Sequence, residues 1–250
     1  TEVQTLDRLN AKEIETGLRT KRLASSVLCF EEVESTNDIA WSSLRQGDTD
    51  GLVILAEVQR RGRGRQGRTW LSPAGENVLM SVLLRDDVKS LSPEAVTIAA
   101  GLAEAEAIEC ETGLSAELKW PNDVLLGGAK VAGVLVERRI ENRQAAMVIG
   151  IGVNVGAHPL AEQVEQPATC LQEVLGHSVV RTVIIREILR RLDAWLEAIL
   201  AGDIRRLHDA WIVHCGMLHE RVSAVSGGRE YVGRVVDVHP LHGLELIDDH

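Results

Sequence analysis

The sequence predicts an α+β fold in which helices flank a mixed β-sheet and a small β-domain follows. Three observations support this fold class. Extended segments at 118–155 follow one another without helices between them, unlike the alternation of a doubly wound sheet. Apolar residues recur at helical spacing most clearly at 182–200. After Trp211 the segments become short, rich in valine and separated by turns.

The chain divides into two predicted domains. The main domain comprises residues 1–214 and starts with a helical lead-in at 1–29, and the small domain comprises residues 215–250. The small domain has the pattern of a β-barrel, but three strands are few for a closed barrel. Because the sequence stops directly after the third strand, we expect this domain to be truncated or to lack its last strand.

Local patterns in the first third of the chain predict two helices and three strands. Valine, isoleucine and leucine are typical of buried strands, and Ser35 with Asp38 has the spacing of a capping box at the start of a helix. The predicted helices are 12–23 and 39–47, and the predicted strands are 30–33, 51–58 and 77–84.

The next helix has a clear start at Ser92, Pro93 and Glu94, which supply a capping hydroxyl, a first-turn proline and an acid near the positive end of the dipole. It should end near Gly113. The remaining predicted elements are strands at 118–120, 131–137 and 147–155, a helix at 182–200 that ends before Gly202, and strands at 221–225, 230–238 and 243–247.

Composition restricts the classes of function. A formal net charge of -10 argues against binding nucleic acid along the whole surface. No apolar stretch approaches the ~20 residues of a membrane span, and the N-terminal residues lack the pattern of a signal peptide, so we expect a cytoplasmic protein without a membrane anchor. The four cysteines lie far apart, so we expect reduced structural thiols and no protein-bound structural metal.

One segment is unusually basic for an acidic chain. Its arginines fall within nine residues: Arg60, Arg61, Arg63, Arg65 and Arg68. Three interspersed glycines match a dinucleotide fingerprint, but a Rossmann turn must open a helix, and this segment leads to a strand. Arginine side chains on a glycine-rich backbone suit a bound carboxylate or phosphate. The alternatives are a solvated basic loop and a tract that contacts RNA.

A second group of candidates comprises Lys119-Trp120-Pro121-Asn122-Asp123 and Lys130. Lys130 opens an apolar strand, where its burial is costly unless it meets an anion. It is therefore a candidate catalytic cation, or else an edge residue beside a turn. Lys119 and Asp123 either contact a nucleotide or magnesium, or fix the turn below Lys130. The spacing is not that of a Walker A loop.

Five motifs occur in an order that resembles the biotin protein ligases. They are Ser35-Thr36-Asn37, then Ala56-Glu57-Val58-Gln59 with the arginine–glycine loop and Trp70, then 119–123, 130–137 and Gly150-Ile151-Gly152-Val153-Asn154. Five motifs in one order are far more specific than any one of them. The resemblance extends from about Phe30 to the C-terminus.

This resemblance implies a two-step reaction. Biotin and ATP, with Mg²⁺, give biotinyl-5'-AMP, and the biotinyl group then passes to a lysine of a biotin carboxyl carrier protein, such as that of acetyl-CoA carboxylase. It also implies an SH2-like, class II synthetase-like catalytic domain, an SH3-like small domain and a homodimer. Because residues 1–23 are too short for the helix-turn-helix domain of some relatives, we expect no DNA binding by this chain. The alternative is that the chain is a fragment of a longer repressor.

The resemblance also implies roles for individual residues. Those expected to bind biotin are Ser35, Thr36, Asn37, Gln59, Arg63, Gly64, Arg65, Trp70, Lys130 and Leu135. Those expected to bind ATP or the adenylate are Arg65, Arg68, Lys119, Asn122, Asp123, Lys130 and Asn154. Lys130, Arg65 and Arg63 would be catalytic, because they would stabilise charge on the reacting phosphoryl group. The loop would close over the acyl adenylate and exclude water.

One departure and two alternatives qualify this interpretation. Region 156–171 contains His158 but no Trp, Tyr or Phe that could stack on adenine. A lipoate or octanoate transferase of similar fold is disfavoured by Ser35-Thr36-Asn37 and Trp70, and by the lack of a cysteine near Lys130. A module that only binds RNA or DNA would show affinity that falls steeply with salt and no ATP-dependent release of pyrophosphate.

Overall fold

The computed structural model describes residues 7–46, 49–85, 88–141 and 144–247, and it confirms the α+β class. The helices in these ranges are α1 (Ala11–Glu15), α2 (Thr36–Gln46), α3 (Pro93–Thr112), α4 (Leu171–Leu175), α5 (Arg181–Leu200) and α6 (Ile204–His214). The strands are β1 (Val27–Val33), β2 (Leu52–Gln59), β3 (Val78–Leu84), β4 (Glu117–Lys119), β5 (Asp123–Leu126), β6 (Ala129–Glu141), β7 (Gln144–Val153), β8 (Arg221–Ser226), β9 (Arg229–His239) and β10 (Gly243–Ile247).

The main sheet has seven strands in the order β1-β2-β3-β7-β6-β5-β4. β1 and β2 are parallel, and every other neighbouring pair is antiparallel, so the sheet is mixed as predicted. Helix α3 packs on β6 and β7 and is covered by α5, while α2 packs on β2, β3 and β7. Every residue of β3 is buried, which fits a pattern that is apolar except at Ser81.

Helix α3 follows the sequence prediction closely. The Ser92 hydroxyl accepts a hydrogen bond from the Ala95 amide (3.0 Å), and Gly113 ends the helix with a left-handed backbone at φ +71°. The helix is apolar on most of its circumference because it lies between the sheet and α5. Helix α5 was also predicted within one residue.

The predicted helix at 12–23 is wrong for most of its length. α1 ends at Glu15, and Gly17 has a left-handed backbone at φ +67° that interrupts the helix. The amides of residues 21–23 instead donate to the Asp193 carboxylate of α5 at 2.7 to 2.9 Å. This segment is therefore shaped by contacts that are distant in sequence, and residues 1–6 lie outside the described ranges.

Three elements were not predicted. β5 has only four residues and is defined by its pairing with β4 and β6, and α4 has only five. α6 has its own cap, since the Asp203 carboxylate accepts from the Arg206 amide (3.3 Å). The predicted helix end at Gly47 and the chain end at 248–250 fall outside the described residues.

The small sheet contains the three predicted strands, in the order β10-β9-β8, and it is antiparallel. Val235 and Val238 of β9 are buried in the same hydrophobic cluster as Leu207 and Trp211 of α6 and the core of the main domain. The small sheet is thus packed onto the main domain through α6. In the ranges that the structure describes, no helix has the length and apolar character to cross a bilayer.

Candidate active site

A cavity of about 1120 Å³ opens on the side of the main sheet that α2 covers only in part. Strands β3, β7 and β6 line its base, and the arginine–glycine loop and segment 163–168 line its sides. Val222 and Leu244 border it from the small sheet, as does Met217 from the turn between α6 and β8. The sequence-predicted site residues all line this cavity: Ser35, Thr36, Asn37, Gln59, Arg63, Gly64, Arg65, Arg68, Trp70, Lys119, Asn122, Asp123, Lys130, Leu135 and Asn154.

Glycines at the base of the cavity let side chains lie directly against the sheet. A Cβ atom at Gly150 would be 2.6 Å from Asn37 Oδ1, and one at Gly152 would be 2.6 Å from the Trp70 ring. Gly133, which pairs with Gly152 across β6 and β7, leaves room for the Lys130 side chain. Close backbone approach explains why the strands contain glycine here.

Polar side chains at one end of the cavity form a continuous chain of hydrogen bonds. The amide and hydroxyl of Thr36 both donate to Gln59 Oε1, at 2.8 and 3.0 Å. Ser81 Oγ lies 2.7 Å from Thr36 Oγ1 and 2.6 Å from Asn37 Oδ1. Its single hydroxyl proton can be donated to only one of these oxygens at a time. Thr36, Asn37 and Ser81 are buried, as is Ser35, and Gln59 is half-buried, so these groups form a preorganised polar patch.

Arg63 is paired with acids of its own chain. Its Nη1 lies 2.8 Å from Asp38 Oδ1, and its Nη2 lies 3.3 Å from Glu137 Oε2. The sequence analysis expected Arg63 to bind a substrate anion. In this arrangement the Arg63 charge is already balanced by two carboxylates, so its contacts favour a role in holding the loop.

The other loop arginines are more available. Within the ranges that the structure describes, the Arg65 guanidinium makes no ion pair and no side-chain hydrogen bond. Arg68 pairs with Glu165 at 2.9 Å, but both side chains are mostly exposed, so this pair is weak. The loop folds on itself, because the Gly64 amide donates to the Arg68 carbonyl (2.7 Å) and Gln66 adopts a left-handed backbone. It is not the start of a Rossmann helix.

Lys130 meets its anion within the chain. Its Nζ lies 2.5 Å from Asp123 Oδ1 and 5.6 Å from the centre of the Trp70 ring. Gln166 Nε2 donates to the other Asp123 oxygen (2.9 Å), and Lys119 Nζ donates to Gln166 Oε1 (3.2 Å). Lys119, Asp123 and Lys130 therefore belong to one network on the cavity lining.

A buried acid lies under this network. Glu104 of α3 is 0% exposed, and both of its carboxylate oxygens lack a hydrogen-bond partner within the described residues. Burial raises the pKa of Glu104 well above its ordinary value, the Lys130 charge opposes this shift and the Asp123 charge adds to it. Burial therefore favours the protonated form of Glu104.

The two asparagines that were expected to bind ATP or the adenylate differ in how their side-chain amides are hydrogen-bonded. Asn122 donates its side-chain amide to the Val134 carbonyl (3.0 Å), which fixes the turn before β5. Asn154 donates to the Thr169 carbonyl (3.1 Å), while its buried Oδ1 has no partner among the described residues. That oxygen is an acceptor suited to an amino group of a ligand.

Sequence analysis missed several residues of the site. Ser81 and Glu137 are both polar residues that interrupt or end an apolar run within a predicted strand, so the sequence offered a signal for each of them. Gln166 lies in an irregular segment, and no sequence pattern predicted its role. His158, which the sequence analysis considered near the nucleotide, pairs with Glu173 (2.9 Å) and does not line the cavity.

Comparisons with known proteins identify relatives. The model of the Biotin/lipoate A/B protein ligase family matches residues 29–154. The "Biotin--[acetyl-CoA-carboxylase] ligase" of Paracoccus denitrificans is 34% identical over 206 residues, which cover 80% of this chain and 85% of that protein. The "Bifunctional ligase/repressor BirA" of Bacillus subtilis is 32% identical over 185 residues, which cover 73% of this chain and 57% of that protein. The chain thus spans a little over half the length of this relative.

A solved structure agrees with these relatives. The biotin protein ligase from Aquifex aeolicus, in complex with biotin and ATP, superposes with a TM-score of 0.76 at 26% identity, over 89% of this chain and 95% of that one. The mixed sheet with an arginine–glycine loop and a lysine on one cavity therefore defines the class of biotin and lipoate ligases. Within this class, the chain belongs to the biotin protein ligase family.

Proposed function

We propose that the chain is an ATP-dependent, AMP-forming biotin ligase that transfers biotin to a lysine of a biotin carboxyl carrier protein. One observation carries this proposal: a single cavity contains both a buried neutral polar patch and a cluster of cations. The relatives support it, since one is named a biotin--[acetyl-CoA-carboxylase] ligase and another has a structure with biotin and ATP.

The polar patch suits the ureido ring of biotin. A ureido group has two N–H donors and one carbonyl acceptor, and it needs matched partners when it leaves water. Ser35, Thr36, Asn37 and Gln59 offer both kinds of partner on one side of the cavity. The dithiolane ring of lipoate has no such groups, so any donor or acceptor of these side chains that is not already paired within the patch would stay unpaired, at about 1–3 kcal/mol each. The patch therefore favours biotin over lipoate.

The cations suit the activation step. A carboxylate oxygen of biotin attacks the α-phosphorus of ATP, and the bond to pyrophosphate breaks, which gives the mixed anhydride biotinyl-5'-AMP. Negative charge on the phosphoryl oxygens is stabilised by Lys130 and Arg65. Lys130 must exchange Asp123 for the phosphate, whereas Arg65 has no described ion pair to give up.

The transfer step uses the same cavity. The neutral ε-amine of the carrier lysine attacks the acyl carbon, an amide forms and AMP leaves. The arginine–glycine loop and Trp70 border the cavity, so a closed loop would keep water from the acyl adenylate.

Magnesium is proposed to enter with ATP. Mg²⁺ binds oxygen ligands and is commonly held by one or two carboxylates together with substrate phosphates. Asp123 is a carboxylate on the cavity lining beside Lys130, and its chemistry fits this role. When bound, the ion would neutralise charge on the phosphates.

We also propose that the protein acts in the cytoplasm, as a homodimer, and that this chain does not itself bind DNA. All four cysteines are free, which suits a reducing compartment. A net charge of -10 opposes DNA binding. The proposal of a homodimer rests on the family resemblance, and light scattering tests it. Binding to duplex DNA, measured at two salt concentrations, tests the proposal that this chain does not bind DNA.

Incubation with biotin, MgATP and a biotin carrier domain tests the enzymatic proposal. We expect a streptavidin-reactive carrier with biotin, and no mass shift of the carrier when lipoate replaces biotin. Arg65→Ala should lose most of the activity, whereas Arg205→Ala, which changes an exposed arginine far from the cavity, should retain it. A folded protein that makes neither adenylate nor labelled carrier, or that uses lipoate equally well, would contradict the proposal.

A further inference from the structure

Glu137 is the point at which three parts of the site meet. One oxygen, Oε2, accepts hydrogen bonds from Asn37 Nδ2 (2.9 Å) and Trp41 Nε1 (3.0 Å) of α2, and from Arg63 Nη2 (3.3 Å) of the loop. Asn37 belongs to the polar patch, and Arg63 belongs to the arginine–glycine loop. A single carboxylate therefore connects the proposed biotin pocket to the loop that borders it.

The strand geometry explains this position. Successive side chains of a strand alternate between faces, so Gly133, Leu135, Glu137 and Arg139 of β6 share the face on which the cavity opens. The Arg139 guanidinium stacks on the Trp41 ring at 4.2 Å, and Trp41 is 2% exposed. Glu137 is thus held between the cavity and the packed side of α2.

The contact with Glu137 also fixes the orientation of Asn37. Its Nδ2 must face the carboxylate, which directs Oδ1 toward Ser81 and the polar patch. A neutral or absent partner would leave the asparagine amide free to turn over. The acceptor offered to the ureido group would then be lost.

We propose that Glu137 is a positioning residue that orders the biotin pocket and the arginine–glycine loop as one unit. This inference rests on the proposed function and deepens it, because it names what couples binding of biotin to closure of the loop. Glu137 acts through Asn37 and Arg63, and it contacts no reacting atom.

Glu137→Gln should remove the charge and keep the size of the side chain. Because hydrogen bonds to a charged group are worth about 1.5–3 kcal/mol, we expect biotin to bind on the order of tenfold to a hundredfold more weakly. The KM for biotin should rise more than kcat falls, and the KM for ATP should stay nearly constant. Biotin should no longer protect the loop from trypsin cleavage after Arg65 and Arg68.

The test combines calorimetric titration with biotin and limited trypsin digestion, with thermal unfolding to verify the fold. Glu32→Gln is the control, since it breaks an exposed ion pair with Arg60 (2.6 Å) beside the loop and should leave both readouts unchanged. Arg63→Met is the second variant. The Glu137→Gln/Arg63→Met double variant should lose little more affinity than Glu137→Gln alone, because Glu137→Gln already weakens the contact with Arg63 that Arg63→Met removes.

The outcomes separate the two proposals. Additive losses in the double variant, or a Glu137→Gln protein that binds biotin and protects its loop like the wild type, would overturn the positioning role. If Glu137→Gln does not fold, unchanged biotin affinity in Arg63→Met would overturn it. A wild-type protein that binds no biotin would contradict the proposed function itself.

Discussion

Lys130 illustrates how far a single residue can be interpreted from sequence. A lysine at the start of an apolar strand predicts a nearby anion, and the structure supplies Asp123 at 2.5 Å. The partner belongs to the chain, so burial alone does not establish a substrate anion. What favours catalysis is the position of this pair on the cavity lining, close to Trp70 and in the cavity that Arg65 also lines.

Lys130→Ala should lower the rate of biotinyl-5'-AMP formation by about 10²–10³-fold, because removal of one preorganised group that stabilises developing charge has effects of this size. The affinity for biotin should change much less. Lys21→Ala is the control, since Lys21 is exposed and distant from the cavity. Rapid-quench measurement of adenylate checks the prediction, and a rate near that of the wild type would exclude Lys130 from the chemistry.

Glu104 should make stability depend on pH. Its pKa is raised in the folded protein by burial, so above its unfolded pKa of about 4.5 only the unfolded chain releases the proton, and folding becomes less favourable as pH rises. Glu104→Gln removes this penalty. The free energy of unfolding of Glu104→Gln, relative to that of the wild type, should increase by up to about 1.4 kcal/mol for each pH unit. The increase ends where the pH reaches the pKa of Glu104 in the folded protein.

Urea unfolding at about pH 5 and about pH 8 measures the difference in free energy of unfolding between Glu104→Gln and the wild type. The contributions of the other titrating groups are the same in both proteins, so they cancel in this difference. The gap between Glu104→Gln and the wild type should be larger at the higher pH. An equal gap at both values would show that Glu104 does not retain its proton in the folded state.

At the scale of elements, local signals account for what could be predicted. α3 and α5 have caps or a long apolar period, and β2 and β3 are apolar along most of their length, so their sequences specify them without reference to the rest of the chain. β5 was missed because four residues form a strand only beside β4 and β6. The prediction that the first helix continues beyond α1 was wrong, because the backbone amides of residues 21 and 22 donate to the Asp193 carboxylate instead.

For the site too, one part could be predicted from the sequence and another part could not. The motifs predicted which residues meet, since all of them line one cavity. They did not predict how these residues pair. The contacts of Arg63 with Asp38 and Glu137 join segments far apart in sequence, and their distances depend on the register of β6 against β7 and on the position of α2.

Gly152→Ala should damage the site through β7. The added Cβ would lie 2.6 Å from the Trp70 ring, so the ring and its loop must shift, at a cost of about 1–3 kcal/mol. We expect biotin affinity to fall by about tenfold or more. Gly101→Ala in α3 is the control, because its Cβ would be 3.5 Å from Trp211 and alanine is favoured in a helix by about 0.5–1 kcal/mol.

Calorimetry with biotin and thermal unfolding check both glycine variants. Gly101→Ala should keep the affinity and unfold at the same or a higher temperature. Equal biotin affinity in Gly152→Ala and wild type would mean that Trp70 does not border the biotin pocket.

At the scale of the molecule, distant segments are joined beside the cavity. Arg181 of α5 is 3% exposed and pairs with Glu57 of β2 (2.6 Å) and with Asp7, which ties the N-terminal segment to the strand that ends at Gln59. The small sheet shares the main core through α6 and borders the cavity. The predicted boundary at 214 and 215 thus separates elements that pack against one another.

The central claim is that one cavity joins biotin to AMP. The most direct measurement is mass spectrometry of the small molecules retained by the purified protein after incubation with biotin and MgATP, without a carrier. The account predicts biotinyl-5'-AMP and an equal amount of pyrophosphate, both dependent on biotin and strongly reduced in Lys130→Ala. Folded protein that binds ATP but forms no biotinyl-5'-AMP, or the same yield in Lys130→Ala, would contradict it.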